Sequence, residues 1–362
     1  MPRFNQLSLV AAVLAAAATG AAACGFHNYN PKPSMVDLLI NSEHAVLARP
    51  TAGNPFRYTA VEAVAGSTYG VELPQLVDTA SRRRLAADAN ATVLFAREGS
   101  YGPWQKVSYI DATMRPVLDK MVARLPAWAD GDDLDRFRTF MTYLDHPDVR
   151  VHTLALTELD RADYGFLVSH KLPLDPVATL ARLDDPAQLD LRAIRVLLLG
   201  LSGWQGAQER LERGLAYSVQ YENALAGAYA TALIELDGPD RAVSVAQRYL
   251  TDPAVHYASK EALIEAMAIH SEYGETDMRE TVSLALAEVL QQRPELASAM
   301  ARQLGARGVW TLRDTLSDVV RQRQLTSMLD VLAVSQYVAM ADGLAAVPNP
   351  VRIGVSDEEA SN

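Results

Sequence analysis

The chain has one thiol in 362 residues, Cys24, with His27 three positions after it. A thiolate and an imidazole at this spacing make half of a metal site. Completing it would take a second Cys or a nearby His pair, and the sequence has neither. His146, His152 and His170 lie close together in sequence. His146 and His152 are six apart and do not share a helix face, so they read as capping or surface residues. His256 and His270 fall at the two ends of one predicted helix and cannot converge on a metal. The carboxylate pairs Asp132-Asp133 and Asp184-Asp185 sit at turns, where helix capping explains them. There is no G-x-x-x-x-G-K phosphate loop and no H-E-x-x-H. The segment "GLSGW" at 200–204 has a serine without the second spacing of a nucleophile elbow. No catalytic residue, metal or cofactor is therefore assigned. The candidate binding residues are Trp104, Trp128 and Trp204, the last flanked by glycines in "GLSGWQG". Packing is the default role for these and for Trp310.

Cys24 gains meaning from the segment before it. Arg3 is the only charge before residue 32, an apolar stretch runs from Leu7 to Ala18, and Thr19, Gly20 and three alanines follow. This is the pattern of a secretory signal peptide over 1–23. Ala21-Ala22-Ala23 fits the A-x-A rule for ordinary cleavage. The Cys at the first mature position also resembles the lipobox of bacterial lipoproteins, although Ala21 stands where a Leu is usual. That resemblance implies a diacylglycerol on the Cys24 thiol. With Gly25 next, it also implies the outer membrane over retention at the inner one. Acylation accounts for a lone exported thiol, which cannot form an internal disulfide. An intermolecular disulfide and a metal contact with His27 are the rival readings.

Residues 24–125 read as a small β-rich domain. Ser34 is placed to cap a short helix bearing Met35, Leu38 and Leu39. Strand-like runs follow at His44–Ala48, Phe56–Val64, Thr92–Arg97 and Trp104–Ile110. Arg82, Arg83 and Arg84 suit a solvated turn or helix face. The order of Cys, short helix, "AVLARP", "VEAVAG" and "VLFAREG…W" resembles the netrin and metalloproteinase-inhibitor type of OB-like barrel. In that family the N-terminal Cys is disulfide-bonded and its free amine chelates a protease metal. This chain has no partner Cys, and acylation would block the amine, so the resemblance implies a binding barrel without inhibition.

From 132 to 344 the texture is helical. Three phrases recur: "LDHPDVRVHTLALTEL" at 144–159, "LDDPAQLDLRAIRVLLL" at 183–199 and "LTDPAVHYASKEALI" at 250–264. Each closes a helix on Leu and turns through Pro into an amphipathic run. Asp145, Asp184 and Thr251 or Asp252 are the expected caps, with Pro147, Pro186 and Pro253 at first helical positions. The first two prolines are about 40 residues apart, the HEAT and armadillo period. The phrase L-D-x-P-x-V-R resembles HEAT repeats, complete only in the first copy. Breaks are expected at Gly203–Gly206 and in "SVQYEN". About ten to twelve helices would fill the region, and a compact non-repeat helical domain is the structural alternative. Residues 345–362, rich in Pro and acid, read as a disordered tail.

The expected fold class is thus α+β and multidomain, with a small OB-like domain before an all-α HEAT-like superhelix. The net charge of −11 argues against a nucleic-acid partner, which would need a basic face. The body of the chain has no membrane-length apolar run. The expected function is a non-catalytic scaffold of the bacterial envelope, in the periplasm or at the outer membrane. It would be anchored through Cys24 and bind another envelope protein or peptide on its helical surface. The alternative is an envelope hydrolase with a dispersed site at the domain junction, around Trp104, Trp128 and Asp130–Asp133.

Overall fold

The computed structural model describes residues 33–99 and 101–345. The signal-like segment, Cys24, His27 and the C-terminal tail lie outside the described residues. The chain divides into two compact units, 1–202 and 203–362.

The first unit opens with α1, Met35–Ile40. Ser34 caps it in a reciprocal box: the Ser34 hydroxyl accepts from the Asp37 N–H, and the Asp37 carboxylate accepts from the Ser34 N–H. Strands β1 (Ser42–Thr51), β2 (Asn54–Ala65), β3 (Thr92–Glu98) and β4 (Gln105–Ile110) form one antiparallel sheet in the order β2-β1-β3-β4. All four predicted strands are present, each near its expected bounds. Gly53 takes a left-handed φ of 78° in the tight β1–β2 turn, where a side chain would be strained. The central strands pair Val46 with Phe95 and Ala48 with Val93.

Both central strands carry continuous apolar runs, Ala45–Ala48 and Val93–Ala96, because both faces of the sheet are covered. On one face α1 packs against β1, β3 and α3 (Met114–Ala129). On the other, Val46, Ala48, Val93 and Phe95 form a core with Tyr58, Trp104 and Leu85 of α2 (Thr79–Ala87). The three arginines lie on α2, where Arg82 sits over the Phe56 ring and Arg84 over the Tyr109 ring. Strands β2 and β4 are the sheet edges, and no ladder joins them among the described residues.

The unit continues through α4 (Asp133–Met141), α5 (Val149–Leu159), α6 (Tyr164–Ser169) and α7 (Pro176–Ala181). A 3-10 turn (Pro186–Leu191) and α8 (Arg192–Leu201) complete it. Side chains of Asp132, Asp148, Asp163, Asp175 and Asp185 accept the first free backbone N–H groups of these segments. The caps expected at Asp145 and Asp184 are thus displaced. Pro147 biases His146 toward extended backbone, so the chain starts helix only after Asp148. In the third phrase Asp252 accepts from the Ala254 N–H in a local turn, and the helix begins four residues after Pro253.

The second unit is helical. It comprises α9 (Gln208–Gln220), α10 (Ala226–Asp237), α11 (Pro239–Val245, continued by a π-helical turn to Leu250) and α12 (Tyr257–Tyr273). Then come α13 (Thr276–Gln292), α14 (Ala297–Ala306), α15 (Arg313–Arg321) and α16 (Met328–Ala345). Helix α9 packs on α10, then α10 on α12, α12 on α14, and α14 on α16. Helices α11 and α13 pair alongside. The breaks expected near Gly203 and in "SVQYEN" are present. Among the described residues, thirteen α-helices lie between Asp133 and Ala345, more than expected. Part of the excess comes from α6 and α7, six-residue helices cut short by capping aspartates and prolines.

Candidate functional site

Tyr217 and Tyr221 stand four apart in the last turn of α9 and at its C-cap, so they share a face. Their rings lie 4.5 Å apart, and both are exposed, at 58% and 60%. Glu222 follows with a left-handed φ of 52°, unusual for a residue with a side chain. Its carboxylate lies 3.3 Å from Nδ1 of His256, the residue preceding α12. This contact brings the end of α9 to the start of α12. There Tyr257 is 42% exposed, and its hydroxyl lies 3.4 Å from the Arg302 guanidinium. Arg302 also pairs with Glu261 at 2.7 Å.

The exposed Tyr217–Tyr221 pair and the exposed Tyr257 thus sit at helix ends joined by the Glu222–His256 contact, edged by ionic groups. Tyrosine offers a large amphipathic contact area with few rotatable bonds, and tyrosine and arginine are the types that concentrate binding energy at protein interfaces. No local motif announces these tyrosines. The i,i+4 spacing of Tyr217 and Tyr221 was visible in the sequence, but their exposure depends on which face α9 turns toward α10.

The first unit holds a cleft of about 190 Å³ lined by Leu144, Asp145, His146, His152, Asp175 and Arg182, among others. Its histidines are those of the first repeat phrase. Their six-residue spacing keeps them off a common helix face, yet the turn at Pro147 brings both to one cavity. His152 Nδ1 lies 2.6 Å from the Leu144 carbonyl and must donate to it, which leaves Nε2 as an acceptor. His146 Nδ1 accepts from the Asp148 N–H at 3.1 Å, so its proton sits on Nε2. Burial lowers the affinity of His152 for a proton, and the nearby Arg182 and Arg195 charges add to this. Together they outweigh the Leu144 bond, and His152 is neutral at pH 7. Asp175 is occupied in capping α7. The cavity is smaller than the roughly 300–1,000 Å³ of sites for drug-sized ligands, and suits a single side chain or a small polar molecule.

The tryptophans sit elsewhere. Trp104 is buried in the sheet core with Arg97 over its ring at 4.9 Å. Trp128 is buried against Phe140, and its indole N–H donates to Asp135 at 2.9 Å. Among the described residues, no bond or ring contact joins Trp104 to Trp128. Trp204 is half-buried, with its ring folded over Gly206, where a Cβ would lie 2.3 Å from it. Asp130 ends α3, Asp132 caps α4, and Asp133 begins it. His256 and His270 bracket α12 as expected. Among the described residues, no group of three or more His, Cys, Asp or Glu side chains is arranged to hold a metal.

No family model matches the chain, and neither a curated protein nor a solved structure does.

Proposed function

We propose that this chain is a binding protein of the bacterial envelope, exported and held by lipid at Cys24, that docks another protein or a peptide on its helical region. The observation that carries this reading is the exposure of Tyr217, Tyr221 and Tyr257 at helix ends joined by the Glu222–His256 contact, with Arg302 beside Tyr257. The order of packing in the second unit supports a HEAT-like array. Successive helices α10, α12, α14 and α16 each meet the next in sequence, which is how repeat proteins build long faces from local contacts. The short helix before β1 and the β3–β4 pair keep the element order on which the netrin-type resemblance rests.

The test is site-specific crosslinking in intact envelopes, with a photoreactive side chain replacing Tyr217 or, as a control, the exposed Leu284 of α13. The expected result is one discrete adduct from position 217 that disappears when Tyr221 and Tyr257 are changed to Ala. No adduct at 217, or the same adducts at 284, would refute the reading.

A further inference from the structure

The cleft of the first unit holds groups of both charges that the fold does not use. Helix α7 lines one side of it. Asp175 precedes this helix and Arg182 follows it, so an acid and a base stand about 10 Å apart along the axis. Asp145 and His146 come from the turn before α5, and His152 from α5 itself. Among the described residues, the side chains of Asp145 and Arg182 make no hydrogen bond or ion pair, and neither does Nε2 of His146 or of His152. The tautomers fixed by the Asp148 N–H and the Leu144 carbonyl make the first Nε2 a donor and the second an acceptor. Asp175 gives one oxygen to the N–H groups of Val177 and Ala178 and keeps the other.

A buried cation lies next to the basic end. Arg195 of α8 is fully buried, and its guanidinium donates to the Arg182 carbonyl at 3.1 Å and to the backbone and side-chain oxygens of Gln188. Its Nε has no partner, and among the described residues no carboxylate stands within ion-pair distance. Asp185, the acid whose charge reaches it, is occupied in capping the 3-10 turn. A buried charge without a counter-ion is destabilising. An anion in the cleft, beside Arg182, would offset it.

We infer that this cleft binds a small zwitterion, a free amino acid or a dipeptide, with its carboxylate on Arg182 and its ammonium on Asp145 and Asp175. The two histidines add one neutral donor and one neutral acceptor. Both charges of the ligand are needed. A lone anion would meet Asp145 and Asp175, and a lone cation would meet Arg182 with Arg195 beside it; like charges disfavour each. The volume of about 190 Å³ sets the size, since it falls below the range for drug-sized ligands.

The test is calorimetric titration of the full chain with the common amino acids and with dipeptides, each beside its N-acetylated and its C-amidated form. At least one parent compound should bind, one per chain, and both of its blocked forms should bind at least tenfold more weakly. Which set binds tells a free amino acid from a dipeptide. No binding by either set would overturn the inference. Equal binding of the acetylated form would make this an anion site, and equal binding of the amidated form a cation site; each result overturns it too. Arg182→Gln and Asp145→Asn change exposed residues whose side chains make no bond among the described residues, so both variants should melt as the wild type does. Each should weaken the parent compound at least tenfold, as loss of a hydrogen bond to a charged group does. Arg182→Gln should leave the amidated form's binding unchanged, and Asp145→Asn the acetylated form's. An unchanged affinity for the parent compound in either variant would overturn the assignment.

Discussion

Arg136 joins three helices through one guanidinium. Its Nε donates to Glu158 on α5 at 2.7 Å, and a second nitrogen donates to Asp37 on α1 at 2.9 Å. Arg161 holds the other Asp37 oxygen at 2.7 Å. Burial raises Glu158 above the usual carboxylate range, although Arg136 opposes it. Burial also acts to raise Asp37, but the Ser34 N–H and the two arginines outweigh it and hold that carboxyl low. A charge this deep tolerates its partner but not its absence. Arg136→Met should destabilise the first unit by about 3–5 kcal/mol. Adding Glu158→Leu should recover much of the loss. Denaturant midpoints for the two variants decide it, and a single-variant cost below about 1 kcal/mol would show that Glu158 does not depend on this pair. None of this was legible in the sequence, because Asp37, Arg136 and Glu158 are brought together only by tertiary packing. In the second unit, buried His270 donates from Nε2 to the Thr231 carbonyl at 3.1 Å, with Glu235 3.9 Å from Nδ1. Burial lowers its proton affinity, against the pull of Glu235 and of the Thr231 bond. The unfolded chain, with its histidine near pH 6.5, therefore takes up the proton first as pH falls. Stability is complete above about pH 6.5 and declines below it. The melting temperature should thus fall more steeply between pH 7.5 and 5 than it does for His270→Gln. Parallel curves would assign the acid sensitivity to another group.

At the scale of elements, the sequence showed types better than ends. Alternation and turn residues gave all four strands, and Ser34 was placed at its cap. In the third repeat phrase neither Thr251 nor Asp252 caps the helix, which starts at Tyr257; in the first two the caps were misplaced because each phrase has two polar residues near its proline. Which of them caps depends on the turn that the proline enforces. Close approach of helices was also invisible. Gly214 on α9 faces the ring of Tyr229 on α10, and a Cβ there would lie 2.3 Å from Cε1. Tyr229 is buried, so its ring has little room to move. In an open helix Gly→Ala stabilises by about 1 kcal/mol. Here that gain is outweighed by overpacking, which typically costs about 1–3 kcal/mol. Gly214→Ala should therefore lower the unfolding midpoint, and it should weaken any crosslink formed at Tyr217 by shifting α9. A rise in the midpoint would mean that α9 can move off α10 without penalty, and that the glycine serves only to loosen the helix.

For the whole molecule, composition indicated a small β-rich region followed by a long helical one, and both are present. Packing sets the division between compact units at residue 202; the sequence marked a helix break at Gly203–Gly206 there, but not a limit between units. The helices after β4 gather with the sheet through contacts such as those of Arg136, and no composition shift records that. On the proposed reading the molecule is held in the cell through Cys24, which lies outside the described residues. Each buried CH₂ of an acyl chain contributes about 0.8 kcal/mol to membrane binding, and two chains give an anchor that one does not. None of the described helices is long and apolar enough to cross a membrane. If the acyl anchor is the attachment, losing it should be all or none. Cys24→Ser should move the protein from the detergent-requiring envelope fraction to the soluble one, and the wild-type mature chain should be heavier than its sequence by the mass of the acyl groups. If the wild type already fractionates as soluble and its first residue is an unmodified Cys24, ordinary cleavage after Ala23 is the correct reading. The exposed tyrosines would then serve a freely diffusing binder, and their crosslinking pattern would be unchanged by Cys24→Ser.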